Sequence, residues 1–236
     1  MSGVAGVTFQ VADCGDSAVR ITTQGADREE CWQAVHAIAA AMDTDADRFA
    51  ITGIIPTYDA VLIEFDCAAS THDDIRQLLA NLVREPVAPT PRPARHFDIP
   101  VVYGGEYGPD LDDVADHLGL SPAEVIRVHG SSPLTMRCFG SPGGAPMLDG
   151  PGFVRPIPRR VVPRPHVPAG AVAVAGRQAV VSARPAPGGW PVIGRTPCTI
   201  VDPTTEPLSV FRPGDTFRFH AIAAHEWSRF EGVPHG

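Results

Sequence analysis

The sequence predicts an α+β chain in two parts: a small α/β sandwich over residues 1–88, then a β-rich barrel or sandwich over 97–225. Three observations predict it. Strand-like and helix-like segments alternate through the first part. A Pro-rich stretch without periodicity, "EPVAPTPRPARH", then interrupts the pattern, placing a linker at 89–96. Beyond it, two helical segments give way to short apolar runs set between Gly and Pro turns, as in a closed or sandwiched sheet. The chain holds 25 Pro and 23 Gly with no collagen-like period, so they punctuate structure rather than build a repeat.

The elements follow in order. "SAVRIT" (17–22) has a strand pattern. "ADREECWQAVHAIAAAMD" places Cys31, Val35, Ile38 and Met42 at helical spacing, with Asp27, Glu29 and Glu30 suited to the positive end of the helix dipole. Two strands follow at about 50–55 and 60–66. "STHDDIRQLLANLVRE" is a second helix, capped by Ser70 or Thr71, with Ile75, Leu78, Leu79 and Leu82 as its buried stripe. The predicted order is β-α-β-β-α. In the second part, "FDIPVVY" opens a strand. Asp110 is an expected N-cap, and Ser121, Pro122 and Glu124 spell a capping box. The remaining strand candidates are "LTMRCF", "AVAVAG", "QAVVSA", "WPVIG", "CTIVD" and "DTFRFHAI". The polar tail, 226–236, is expected to fray.

Composition excludes several classes. The formal charge of −8 argues against nucleic acid or an anionic membrane as partner. All 19 basic side chains are arginine, so no Schiff-base lysine and no lysine general base can operate. Five scattered cysteines without a CxxC pair read as reduced thiols, and no apolar run approaches ~18 residues. A soluble, cytoplasmic protein is expected. No metal site is expected from the nine histidines, because no pair has ligand spacing; His117 and His129 read as surface or packing residues.

Several stretches can carry chemistry. "YGGEYGPD" (103–110) reads as a glycine loop leading into a helix. "FGSPGGAPMLDG" (139–150), with Gly143, is either a connector or a loop offering backbone N–H groups. Arg164 and His166 precede a strand in which Ala171, Ala173 and Ala175 allow close packing on one face while Val172 and Val174 fill the other. His166 is either a general acid–base or a surface residue. "PAPGGWPVIGRTP" (185–197) is the sharpest: Arg195 either grips a carboxylate or phosphate, or caps carbonyls, or pairs with Asp202 or Asp215. Trp190 either stacks on a ligand or plugs a barrel end.

"IPVVYGGEYGPDLDDVADHLGLSPAEVIRVH", "VPAGAVAVAG", "PGGWPVIGRTP", Asp202-Pro203 and "RPGDTFRF" occur in the order seen in one family, and "GDSAVRI" and "IPTYDAVLIEFD" extend the match to about residues 10–222. The chain resembles the family of the 5-oxoprolinase B subunit, also called allophanate hydrolase subunit 1 or the Kip inhibitor family, similar to the first half of a carboxyltransferase domain. The resemblance implies a cyclophilin-like barrel for the second part. It also implies one subunit of a hydrolase that cleaves a C–N bond of a cyclic amide. The implied partners are the homologous C subunit, which is like allophanate hydrolase subunit 2, and a third chain, the A subunit. ATP would be used by the complex, and no biotin would be attached to this chain.

The resemblance implies His166 and Arg195 as catalytic groups. It implies Arg164, Gln178, Gly188, Gly189, Trp190, Thr196 and Gly143 as substrate-binding positions. The alternatives it brings are a subunit of urea or allophanate metabolism and a non-enzymatic kinase inhibitor. Relatives tend to read "GFxPGFxYL" where this chain has "FGSPGGAPML", and "GxQTGIYP" where it has "GRQAVVSA". Both departures remove aromatic or hydroxyl groups and bear on which substrate fits.

Overall fold

The computed structural model describes residues 6–84, 93–131, 133–140 and 143–232. The chain divides into two compact units, Met1–Arg92 and Pro93–Gly236. Of the expected linker, 89–92 lie outside the described residues, and His96 already begins a strand.

The first unit is a four-stranded antiparallel sheet covered by two helices. Its elements are β1 (Thr8–Asp13), β2 (Ala18–Gln24), α1 (Arg28–Thr44), β3 (Ile51–Pro56), β4 (Ala60–Phe65) and α2 (His72–Arg84), with sheet order β1-β2-β4-β3. β1 was not expected from the sequence; its one strongly buried apolar residue, Phe9, gives too short an alternation to stand out. Asp27 caps α1 by accepting the Glu29 and Glu30 N–H groups, and Thr71 caps α2 by accepting from Asp74 N. One face of β2 and β4 carries Val19, Ile21, Val61 and Ile63, each fully buried with Val35 and Met42 of α1 and Ile75 and Leu79 of α2. Burying each such side chain contributes roughly 1.5–3 kcal/mol.

The second unit begins with β5 (His96–Tyr103), α3 (Leu111–Leu118) and α4 (Pro122–His129). It continues through β6 (Leu134–Gly140), β7 (Ala145–Asp149), β8 (Arg164–Val167), β9 (Ala171–Ala175), β10 (Gln178–Val181), β11 (Ala186–Gly188), β12 (Val192–Arg195) and β13 (Thr216–Ala221). Seven strands close a barrel in the order β10-β7-β6-β13-β5-β12-β9. Closure removes the exposed edges that an open sheet would carry. β13 runs parallel to β5 and the other pairs are antiparallel. The mixed α/β chain with a closed barrel agrees with the cyclophilin-like fold that the resemblance implies.

The barrel unit's core is apolar, with Phe97, Phe211, Phe217 and Phe219 in edge-on and tilted ring contacts among Ile99, Met136 and Leu148. β9 divides as its alternation predicts. Val172 and Val174 join that core, while Ala171 and Ala173 pack outside it with Val167, Val192 and Trp190. There β8 and β11 form a separate two-stranded ribbon.

Four expectations change. "FGSPGGAPMLDG" is not an open loop throughout: Phe139 pairs with Pro146 and Gly140 with Ala145, so β7 lies inside it. Residues 141–142 of this stretch lie outside the described residues. "CTIVD" forms no strand, only an isolated bridge from Cys198 to Gly232. Asp110 occupies the N-cap position of α3, but its side chain makes no capping bond. The tail does not fray through its described part: Ala224–Phe230 is a 3-10 helix, and Gly232 O accepts from Thr199 N at 2.8 Å. The reason is aromatic. Trp227 and Phe230 both find ring partners on the barrel unit, in Tyr107 and His220.

His129 settles as a packing residue. It is fully buried, its Nδ1 hydrogen-bonded to the Tyr103 hydroxyl at 2.7 Å and its ring 4.5 Å from that of Phe219. Burial holds its pKa down at about 3, so it is neutral at neutral pH. The same burial raises the Tyr103 phenol. Among the described residues, no helix is long and apolar enough to cross a membrane.

Candidate functional site

The stretch that the sequence singled out, 185–197, becomes β11, a turn and β12. Each end of β12 holds an arginine arrangement. At the Val192 end the organising group is Asp110. The loop before α3 reaches it by lying on β12: a Cβ at Gly108 would stand 2.0 Å from the Ile193 carbonyl oxygen, so only glycine fits there. That contact brings Asp110 N to Val192 O at 3.0 Å and Asp110 Oδ2 to Val192 N at 2.7 Å.

The Asp110 carboxylate is almost wholly buried, its side chain 2% exposed. It is met by two guanidiniums. Arg164 binds both oxygens, Nη2 reaching Oδ1 at 2.9 Å, and Arg160 Nη1 binds Oδ1. A buried carboxylate needs such partners, because an unpaired one is far too costly to desolvate. One carboxylate against two guanidiniums leaves a net positive cluster. Arg160 N also donates to Gly189 O at 2.8 Å, and Gly188 pairs in register with Arg164. The Arg159 guanidinium lies over Trp190, 5.7 Å from the ring centroid. A groove of about 410 Å³ opens beside this cluster, lined by Asp110, His117, Ile157, Arg159 and Arg160 among others.

At the other end stands Arg195. Gly194 permits its position, since a Cβ there would meet Val101 Cγ1 at 2.5 Å across the paired strand β5. Arg195 Nε donates to the Ala169 carbonyl at 2.9 Å, and its guanidinium carbon sits 5.2 Å from the Trp227 ring centroid. Among the described residues no carboxylate pairs with it. Asp215 is taken by Arg95, and Asp202 accepts from Thr204. Thr196, buried, bonds through its N–H to Gly170 O at 2.9 Å and accepts from Cys198 N.

Not all the expected positions converge. Arg164, Gly188, Gly189 and Trp190 gather at the Asp110 cluster. His166 is exposed on β8, three residues before Ala169. Gln178 pairs with Ala175 and Asp149, at the far end of β9 from Ala171, which pairs with Arg195. Four strand positions separate those ends, about 13 Å along the strand. Gly143, at positive φ of 69°, lies against the Arg184 side chain. Trp190 packs at one edge on the outer cluster with Val167 and Ala171, and elsewhere carries Arg159. Among the described residues, no three His, Cys, Asp or Glu side chains gather as metal ligands.

Sequence reasoning missed Asp110 as an ion-pair centre, Arg160, and Trp227. No local signal marks them. Asp110 and Arg160 are fifty residues apart, and an aspartate before a helix reads as a cap.

The family model of the carboxyltransferase domain, subdomain C and D, matches residues 9–211. The chain belongs to this family. Among named relatives, the 5-oxoprolinase B subunit of Bacillus subtilis (strain 168) is 31% identical over 235 residues, 95% of this chain and 98% of the relative. The 5-oxoprolinase B subunit of Escherichia coli O157:H7 is 42% identical over 126 residues, 53% of this chain and 58% of the relative. Among solved structures, TTHA0988 superposes with a TM-score of 0.72 at 31% identity, over 88% of this chain and 40% of that one. The Kluyveromyces lactis urea amidolyase superposes with a TM-score of 0.74 at 17% identity, over 96% of this chain and 16% of that one, a likeness of fold. The carboxyltransferase subdomain C and D family thus accounts for the order of motifs from "GDSAVRI" through "PGGWPVIGRTP" to Asp202-Pro203.

Proposed function

We propose that the chain is the B-type subunit of an ATP-dependent lactam hydrolase that opens 5-oxoproline to glutamate. It acts in the cytoplasm, in complex with two other chains, the homologous C-type subunit first and an A-type subunit third. The observation that carries this reading is the end-to-end likeness to the 5-oxoprolinase B subunit of Bacillus subtilis. The two-part organisation, a small α/β unit followed by a cyclophilin-like barrel, belongs to the same reading.

A lactam carbonyl is a poor electrophile. Transfer of a phosphoryl group from ATP to its oxygen, elsewhere in the complex, makes that oxygen a leaving group. Water adds at that carbon, the C–N bond breaks with its electron pair and a proton going to the ring nitrogen, and a second water releases the oxygen as phosphate; meanwhile the ring is held by its carboxylate as charge develops on the oxygens of the reacting carbon. Arg195 suits an oxyanion: its Nε is spent on Ala169 O, and no carboxylate among the described residues neutralises it. A guanidinium fork grips a carboxylate through two parallel hydrogen bonds. In this reading His166 moves a proton, and Thr196 and the backbone at Gly188 and Gly189 shape the wall. Arg164 is committed to Asp110, so it acts by fixing that wall rather than by touching substrate. Gln178 and Gly143 would meet substrate from other sides of the barrel.

The test is the purified chain assayed alone and with its two partner subunits. Glutamate release that needs ATP, 5-oxoproline and all three chains is the expected result. Ammonia release from urea or allophanate, or inhibition of a kinase without either activity, would replace this reading. In the assembled complex, Arg195→Ala abolishes turnover with assembly intact; full turnover would remove Arg195 from the site.

A further inference from the structure

The C-terminal segment is strapped across the Arg195 end of the barrel. Its start is fixed by Ile222 N donating to Val101 O at 2.9 Å, and its end by Thr199 N donating to Gly232 O at 2.8 Å. Cys198 Sγ reaches Phe230 O at 3.9 Å, and Phe230 meets the His220 ring edge-on at 6.1 Å. Between these anchors the 3-10 helix Ala224–Phe230 presents Trp227. The indole is half-buried between two groups of the barrel unit, the Arg195 guanidinium at 5.2 Å and the Tyr107 ring at 5.3 Å. Its own Nε1 donates to Glu231 at 3.0 Å, which fixes the ring orientation within the strap.

We propose that Trp227 is the positioning residue for Arg195. Arginine is a long side chain with many rotamers, and ordering it for bidentate binding costs entropy. Here two neutral partners order it without neutralising it: the Ala169 carbonyl holds Nε, and the indole face holds the guanidinium plane. A carboxylate partner would hold it as well but would occupy the fork. Among the described residues neither Nη nitrogen is hydrogen-bonded, which leaves both to an incoming oxyanion. The strap Ala223–Gly232 is part of the substrate site, and its ligand class is a small planar anion such as a carboxylate. This rests on the reading of Arg195 given above.

The assay is steady-state turnover of the assembled three-chain complex on 5-oxoproline and ATP, with melting temperature as the check on folding. Trp227→Leu keeps an apolar cover but removes the aromatic face; Trp227→Phe keeps a face. Leu is expected to raise KM for 5-oxoproline ~3- to 30-fold while kcat is retained, the range set by the strength of a cation–π contact. Phe is expected to restore most of that loss. If Leu and Phe behave alike, or if kcat and melting temperature fall as KM rises, Trp227 is only packing and the proposal is overturned. If Arg195→Ala is inactive while Trp227→Leu matches the unaltered complex, only this inference fails. If Arg195→Ala keeps full turnover, the reading of Arg195 fails and this inference with it.

Discussion

The two ends of β12 hold arginines in opposite ways. At the Val192 end, Arg160 and Arg164 converge on one buried carboxylate, which also takes a backbone N–H. At the other end, Arg195 is held by a carbonyl oxygen and an aromatic face. The first arrangement spends charge on the fold, because removing Asp110 leaves two partly buried guanidiniums without their counter-ion. The second keeps the charge and fixes only its direction. Both arrangements meet one strand of four residues, so position along the chain does not tell a structural arginine from an available one. The partner does.

The largest expected effect tests the first end. Asp110→Ala leaves two guanidiniums without their counter-ion and the Val192 N–H without its acceptor, at a cost of about 3–5 kcal/mol. Denaturant unfolding measures it, and a loss under about 1 kcal/mol would erase the distinction between the two ends.

Acid separates burial from charge in the same unit. His129 binds its proton at about 3 in the fold because burial disfavours the cation, and near its ordinary 6.5 when unfolded. Between those values the unfolded chain holds more protons, so stability is full above about pH 6.5 and falls as pH drops toward 3. The slope is up to about 1.4 kcal/mol per pH unit. His129→Gln should flatten this slope in urea unfolding followed from about pH 7 to about pH 5. An unchanged slope would place the acid sensitivity elsewhere.

Arg195→Ala is expected to cost only about 1 kcal/mol of stability, the value of one hydrogen bond and one ring contact, despite its effect on turnover. A loss as large as that of Asp110→Ala would make Arg195 structural too. The smallest effect is at Arg159, whose guanidinium rests on the half-buried Trp190. Arg159→Ala should shift stability by about 0.5–1 kcal/mol, read as a small change in melting temperature.

Much of the fold was legible in the sequence. α1, α2 and α4 follow from helical spacing and caps, and the alternation of β9 assigned its valines and alanines to opposite faces. Apart from β1, the missed strands share a cause. β7, β8 and β11 are short, rich in Pro, Gly or Ala, and exist because another strand pairs with them. The strap was read as a fraying tail because it is polar, and its Trp227 is seated by Tyr107 and Arg195, more than thirty residues upstream. The sites behave likewise. Through the family resemblance the sequence marked Arg195 as catalytic and Arg164 as substrate-binding, but it carried no sign that Arg164 is paired with Asp110.

By itself the sequence determined the mixed α/β class, the helices with their spacing, the two-faced pattern of β9, and the family. Those rest on local periodicity and on the order of motifs, which need no third dimension. The tertiary structure alone decided that Asp110 neutralises Arg164 and that Trp227 lies against Arg195. Each of these depends on residues tens of positions apart meeting across a closed barrel, and the value of a charge is set by what lies within a few ångströms of it.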